Sequence, residues 1–415
     1  MVYYKRFLAA ELEKTLNTRP LVYLNGPRQT GKSTLVQHIS AVRPVNYIAL
    51  DAPLVWAAVK NDPAGFLDSL PADKLNVLDE AQNCPELFPY LKIAIDRRRG
   101  GKNKAVCLYL LTGSANLLAL PRLAESLVGR MSVLKLLPFA AAEYFKKDSC
   151  FVEQIFSAPP VYKKYPAVKI TEVLKKATYP ELALQKKLDR QRWLDDYLNM
   201  ILQRDVKMVS DIRNPEKIIS LLSVLAARAG GLLNNSSAAM DAGLDLKTYD
   251  KYKAGILNTF LAFEIKPWSP ARKFSKRFVK AAKFYFTDTN LLAYLLKRDL
   301  AELSKDQAAF GHVLENFTAA ELLKQTTSRV DISLWHFRTA DQKEADFVLE
   351  RTNGEIVGVE VKSAKMVNFS DTKGLQELKK MAAGKFKRGI VLYAGSEILP
   401  LGSDIWAMPF NGLWE

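Results

Sequence analysis

The sequence predicts an α/β protein of several domains, with a parallel sheet at the front and a second α/β sheet near the other end. Three observations carry that expectation. An apolar run, Leu21 to Leu24, leads into Gly26-x-x-x-x-Gly31-Lys32-Ser33 and then into a helical pattern. Two further apolar segments, "LNVLDEAQ" and "AVCLYLLTGS", end in polar residues, as buried parallel strands do when they deliver side chains to one sheet edge. Finally, "ADFVLERTNGEIVGVEVK" alternates as a β-hairpin with acids on both strands.

Bulk properties bound the rest. A chain of 415 residues exceeds the usual single-core size, so roughly two to four domains of about 100 to 200 residues are expected. No stretch approaches the roughly 20 apolar residues that span a bilayer. The first residues, "MVYYKRFLAAELEKTL", lack the pattern of a secretory signal, which points to a cytoplasmic protein without membrane partners. Cys84, Cys107 and Cys150 form neither a close pair nor a zinc spacing. Sixty Lys and Arg against 44 Asp and Glu give a net charge of +16, a balance suited to polyanions, with nucleic acid first among them.

In the first element, glycines let successive N–H groups face phosphate oxygens. Lys32 would reach the β- and γ-phosphates and Ser33 would help hold Mg²⁺. The expected ATP-binding set is therefore Gly26, Pro27, Arg28, Gln29, Thr30, Gly31, Lys32, Ser33 and Thr34, joined by Ser114 at the end of the third strand. Ser114 senses the γ-phosphate or caps the next helix. Asp79 is expected to support Mg²⁺, and Glu80 to orient and deprotonate the attacking water. Arg122 or Arg130 would supply positive charge to the transition state, in cis or from a neighbouring copy in a homo-oligomer.

The middle of the chain reads as helical. Between Phe145 and about Ile212, amphipathic patterns alternate with Pro159, Pro160, Pro166 and Pro180, which suits a lid and linker. Trp193, Tyr197 and Ile201 repeat at helical spacing, and Arg204-Asp205 reads as a helix-end ion pair or a contact to nucleotide or a neighbouring domain. The following stretch gives helix, Gly-Gly break, short helix and longer helix, a helix-turn-helix pattern with Lys247, Lys251 and Lys253 along its second helix. "KPWSPARKFSKRFVKAAKFYFTD" would form a basic wing, suited to DNA or to protein contact.

In the hairpin, residues two apart share a face, so Glu360 and Lys362 project together. A three-residue loop, Thr352-Asn353-Gly354, sets Asp346 opposite Glu360, whereas a two-residue loop would turn it to the other face. Two adjacent carboxylates suit Mg²⁺ or Mn²⁺, with Glu315 of "GHVLENFTAAELLKQ" as a third acid and Lys362 positioning water at a phosphodiester. A solvent-facing salt-bridge cluster is the alternative.

Together, "GPRQTGKSTL", "LDEAQNCPELF", "LTGSANLL", "ESLVGR", "YPE", "LQRDV", "LENFTAAEL", "EADFVLE" and "VGVEVKSAK" resemble the bacterial and archaeal AAA-type ATPases (AAA_14) that carry a carboxy-terminal DUF4143 domain. The resemblance implies a P-loop AAA-like ATPase core over 1–145, a helical lid and linker over 146–212, and a winged-helix-like segment over 213–290. It also implies an α/β restriction-endonuclease-like domain over 291–415, with Asp346, Glu360 and Lys362 on the PD-(D/E)xK nuclease positions. Asn25 and Asn76 depart from the commoner small or apolar residues. The expected function is ATP hydrolysis controlling a metal-dependent, DNA-directed nuclease-like domain; the alternative is an ATPase switch whose last domain binds without cutting.

Overall fold

Two glycines and an unbroken apolar strand fix the front of the chain. β1 (Leu21–Asn25) is buried throughout and turns at Gly26, whose φ of +142° and close approach to the Leu136 carbonyl exclude a side chain. The computed structural model describes residues 3–99, 107–114, 127, 129–148, 150–206, 215–270 and 281–415. Within them β1 joins β2 (Val45–Ala49), β3 (Leu75–Asp79), β4 (Tyr109–Gly113) and β5 (Met131–Lys135) in a parallel sheet of order β2-β3-β4-β1-β5. Period-two alternation assigns each strand residue to one of two cores. Leu21, Tyr23, Leu78, Tyr109 and Leu111 pack with Phe88, Leu91 and Ile95 of the Leu87–Arg99 helix. Val22, Leu24, Val77 and Leu110 pack with the helices Leu8–Leu16 and Lys32–Ser40 on the other face. Asn76, polar within β3, accepts from Asn46 at 2.9 Å and donates to the Pro71 carbonyl at 2.9 Å, so its burial is satisfied.

The chain divides into two units. The first comprises 1–137, 199–212 and 254–260; the second comprises 138–198, 213–253 and 261–415. After the helices Pro215–Ala227, Asn235–Asp241 and Leu246–Asn258 comes an antiparallel ribbon of β6 (Ala262–Ile265) and β7 (Lys283–Phe286). Two of these helices carry side-chain caps: Asn234 accepts from Ser237 N, and Asp245 accepts from Thr248 N. Most of the wing sequence, 271–280, lies outside the described residues.

A buried 20-residue helix, Gln307–Thr326, precedes the second sheet. This sheet holds β8 (Ile332–Arg338), β9 (Glu344–Arg351), β10 (Ile356–Lys362), β11 (Phe386–Tyr393), β12 (Leu399–Pro400) and β13 (Ile405–Pro409) in the order β12-β13-β11-β10-β9-β8. β8, β9 and β10 form an antiparallel meander, and β10, β11 and β13 run parallel. The β9–β10 turn has the expected odd length. Ile356 faces Glu350 and Val359 faces Phe347, a register that sets Asp346 opposite Glu360. Gly354 takes the left-handed position at φ +86°. Its N–H donates to Arg351 O at 2.8 Å, and the Arg351 N–H donates to Glu355 O at 2.9 Å. All three cysteines are free thiols, and no helix among the described residues is long and apolar enough to cross a membrane.

Because only glycine adopts that turn geometry without steric cost, Gly354→Ala is expected to destabilise the second unit by about 1–2 kcal/mol. Denaturant unfolding followed by β-sheet circular dichroism checks this; an unchanged midpoint would show that the turn relaxes to another type.

Candidate functional site

The parallel sheet brings the front residues to one edge. Asn25 faces Gly113 in register, Leu24 faces Thr112, and β3 ends at Asp79 beside them. From that edge the chain passes through Gly26 to Gly31, and the helix from Lys32 starts at a left-handed Gly31. Thr30 Oγ1 donates to Pro27 O at 2.9 Å, and Arg6 Nη1 donates to Thr30 O at 2.8 Å, bracing the loop. Lys32 Nζ curls back onto Gly26 O at 2.9 Å and Pro27 O at 2.8 Å. Burial pulls its ammonium down to about 8, although Glu80, Asp79 and Asp205 push the other way.

Asp79 is buried and accepts from Thr112 Oγ1 and Tyr47 OH, with Ser33 Oγ 3.5 Å away. A serine hydroxyl and a carboxylate at the mouth of a phosphate-binding loop are the oxygen donors a hard cation such as Mg²⁺ takes. Glu80 follows with a left-handed backbone, φ +57°, the type of local strain that clusters at active sites. Its carboxylate accepts from Gln82 Nε2, which also donates to Ser114 Oγ at 3.2 Å. Gln82 thus ties together the residue expected to orient water and the residue expected to sense phosphate. Gln29 and Thr34 lie within the loop and first turn, as their spacing requires.

Arg130 is placed differently from the in-cis expectation. It precedes β5, whose first residue pairs with Leu21, so it lies at the amino edge of the sheet, opposite the loop. There it forms a bidentate pair with Asp96 at 2.7 and 2.8 Å. The direction of a parallel strand excludes contact with a phosphate held in the same chain. Arg122 lies outside the described residues.

The second unit holds the other set. Glu315 projects from the Gln307–Thr326 helix, Asp346 from β9, and Glu360 and Lys362 from β10. The expected cation position is held by protein: Lys283 Nζ lies 2.9 Å from Glu315 Oε1 and 3.3 Å from Asp346 Oδ1. Tyr285, on the same face of β7, donates to Glu315 Oε1 at 2.7 Å. Asp346 Oδ2 accepts the Val361 N–H at 2.9 Å, and Lys362 Nζ donates to Glu360 Oε1 at 2.8 Å. Burial alone would pull the Lys283 ammonium down; Asp346, Glu315 and Glu344 together push it up. Burial and then Asp346 push the Glu315 carboxyl up to about 7, and push Glu360 well above the usual carboxylate range. Among the described residues, no group of three or more His, Cys, Asp or Glu is arranged to hold a metal ion. The expected metal set of Glu315, Asp346 and Glu360 thus finds no support in this arrangement: Glu315 and Asp346 converge on an ammonium.

Several residues that shape these sites carried no sequence assignment: Tyr47, Gln82, Lys283 and Tyr285. Lys283 had one signal. It alternates with Phe284 and Phe286 in a strand, and a lysine facing inward there requires an acid partner. Asp205, read from sequence chiefly as half of a helix-end pair with Arg204, instead receives Arg28 of the loop at 2.7 and 2.8 Å.

Sheet order, loop and acid pair define the front unit as a P-loop ATPase domain. Comparison with known families makes it one of the AAA type: a model described as an AAA domain matches residues 18–145. Two models described as domains of unknown function match residues 169–302 (DUF8612) and 310–413 (DUF4143). Uncharacterized proteins of Mycobacterium bovis and Mycobacterium tuberculosis are each 25% identical over 412 residues, covering 99% of this chain and 84% of theirs. Among solved structures, a Walker-type ATPase of Pyrococcus abyssi aligns with a TM-score of 0.43 at 14% identity, over 71% of this chain and 96% of its own. The RuvB Holliday junction branch migration motor of Thermotoga maritima aligns with a TM-score of 0.28 at 16% identity, over 61% and 84%.

The lowered Lys32 value gives a sign for pH dependence. The ammonium must be charged to meet phosphate, and bound phosphate raises its proton affinity, so binding takes up a proton above pH 8. The affinity of the wild type for a non-hydrolysable ATP analogue, measured by calorimetry, is expected to fall by up to about tenfold per pH unit above 8. A flat profile to pH 9.5 would show Lys32 already charged in the free protein.

Proposed function

We propose that the protein is an ATP-hydrolysing switch that acts on DNA, and that its nucleotide state controls the carboxy-terminal domain. The convergence of Lys32, Ser33, Asp79, Glu80 and Thr112 on the carboxyl edge of one parallel sheet carries the catalytic half. Backbone N–H groups of 28 to 33 and Lys32 would bind the triphosphate, while Ser33 and Asp79 would hold Mg²⁺, which neutralises charge on the phosphate oxygens. Glu80 would accept the proton of the attacking water, held in place by Gln82. Arg130, at the opposite edge, would serve a neighbouring copy in a homo-oligomer.

For the carboxy-terminal domain, one observation favours binding without cutting. Lys283 neutralises the acids that a nuclease would leave open to Mg²⁺ or Mn²⁺, and Lys362 is paired with Glu360. The winged-helix reading of 213–290 would supply the DNA-facing part: Lys247 and Lys251 are exposed on the Leu246–Asn258 helix, and Lys253 pairs with Glu264 at 2.9 Å.

Lys32→Ala is expected to abolish ATP binding, and Glu80→Gln to retain binding while turnover falls by about 100-fold or more. Duplex DNA affinity of the wild type should weaken steeply between about 50 and 200 mM salt. Cleavage of plasmid DNA by the wild type with Mg²⁺ or Mn²⁺, lost in Glu360→Ala, would restore the nuclease reading. Salt-insensitive or absent DNA binding would remove DNA from the proposal altogether.

A further inference from the structure

The phosphate-binding loop has a partner outside the ATPase sheet. Residues Ile201–Val206 form a single π-helical turn directly after the Arg190–Met200 helix. Such turns are rare and recur at functional sites. From this turn Asp205, fully buried, takes both Nε and Nη2 of Arg28. Bidentate guanidinium–carboxylate pairing is among the strongest side-chain contacts, and guanidinium binds phosphate oxygens in the same way. Both members lie within electrostatic reach of Lys32, since each perturbs its ammonium, so the pair sits beside the place where the terminal phosphates bind. The chain path adds a third point. The first unit takes in 199–212 as a short return between 138–198 and 213–253, so the turn lies close in sequence to where the chain passes from one unit to the other.

We propose that Asp205 is a positioning residue that reports nucleotide state. Asp205 holds Arg28 while no triphosphate is bound; when ATP binds, a phosphate oxygen replaces the Asp205 carboxylate on the guanidinium, and the π turn is released. The inference rests on the ATPase reading and adds to it the element through which the ATP-bound state is transmitted. It also explains why a carboxylate lies buried beside a site for a polyanion, where it opposes binding: the opposition is the coupling.

Hydrogen–deuterium exchange of the full-length protein tests it directly. Peptides covering 199–206 are expected to exchange faster with a non-hydrolysable ATP analogue and Mg²⁺ than with no nucleotide or with ADP. A double-mutant cycle gives the second readout, the ratio of ATP-analogue to ADP affinity. Asp205→Asn should raise that ratio by about tenfold, as coupling energies of this type do, and the effect should vanish in an Arg28→Ala background. Exchange at 199–206 that is the same in all three states, or an Asp205→Asn variant that weakens both nucleotides equally, would overturn the inference and leave the ATPase reading intact. A wild type that binds no ATP analogue at all would overturn both. Should Asp205→Asn fail to fold, the wild-type exchange experiment still decides.

Discussion

The front site depends on how closely two backbones approach at Gly26. β1 and β5 stay paired to their last residues, and the Leu136 N–H then donates to Asn25 O at 2.8 Å, which draws the two chains together as the loop begins. A Cβ at position 26 would stand 2.0 Å from Leu136 O. Only glycine fits, and its φ of +142° turns the chain back over the strand ends. Once that turn exists, the helix from Lys32 must start above the carboxyl edge, where β3 and β4 deliver Asp79 and Thr112. The cradle, its lysine and its acids are thus one consequence of parallel strand order and a single close contact.

The second unit solves an opposite problem. Burying several carboxylates raises the cost of their charge, and Glu315 and Glu360 show it in carboxyls pushed upward. Each acid is met by a fixed donor: Lys283 and Tyr285 for Glu315, Lys283 and the Val361 N–H for Asp346, Lys362 for Glu360. These shared donors favour one arrangement of ribbon, helix and hairpin, although Glu360 Oε2 is buried without a hydrogen-bond partner. The two sites therefore differ in kind. In the first, the lysine bonds to carbonyls of its own loop, which phosphate oxygens can replace; in the second, the lysines bond to carboxylates.

What could be read from the sequence was whatever a short-range rule determines. The P-loop spacing, the polar strand ends and the parity of the β9–β10 turn follow from local geometry: an odd loop and one glycine at φ +86° decide which face Asp346 takes. Pairings across long sequence distances could not be read. Lys283 reaches Glu315 and Asp346 over 32 and 63 positions, and Arg28 reaches Asp205 over 177. Spacing says that a residue can serve a site, not that another residue already does. The placement of Arg130 shows the same limit, because a Gly-Arg before an apolar strand is compatible with either edge of a sheet until the strand order is known.

The excess of Lys and Arg over Asp and Glu is not spread evenly along the sequence. A pair such as Arg28 with Asp205 removes one cation and one acid, and Lys283 takes up more than one carboxylate, so pairing does not lessen the excess of 60 over 44. The segment joining β6 to β7, residues 266–282, concentrates it: Lys266, Arg272, Lys273, Lys276, Arg277 and Lys280 occur there without a single Asp or Glu. A stretch of that composition is of the kind that polyanions attract. The same shortage makes the acids of the second unit informative, since a chain with few carboxylates to spare commits several of them to holding Lys283 in place.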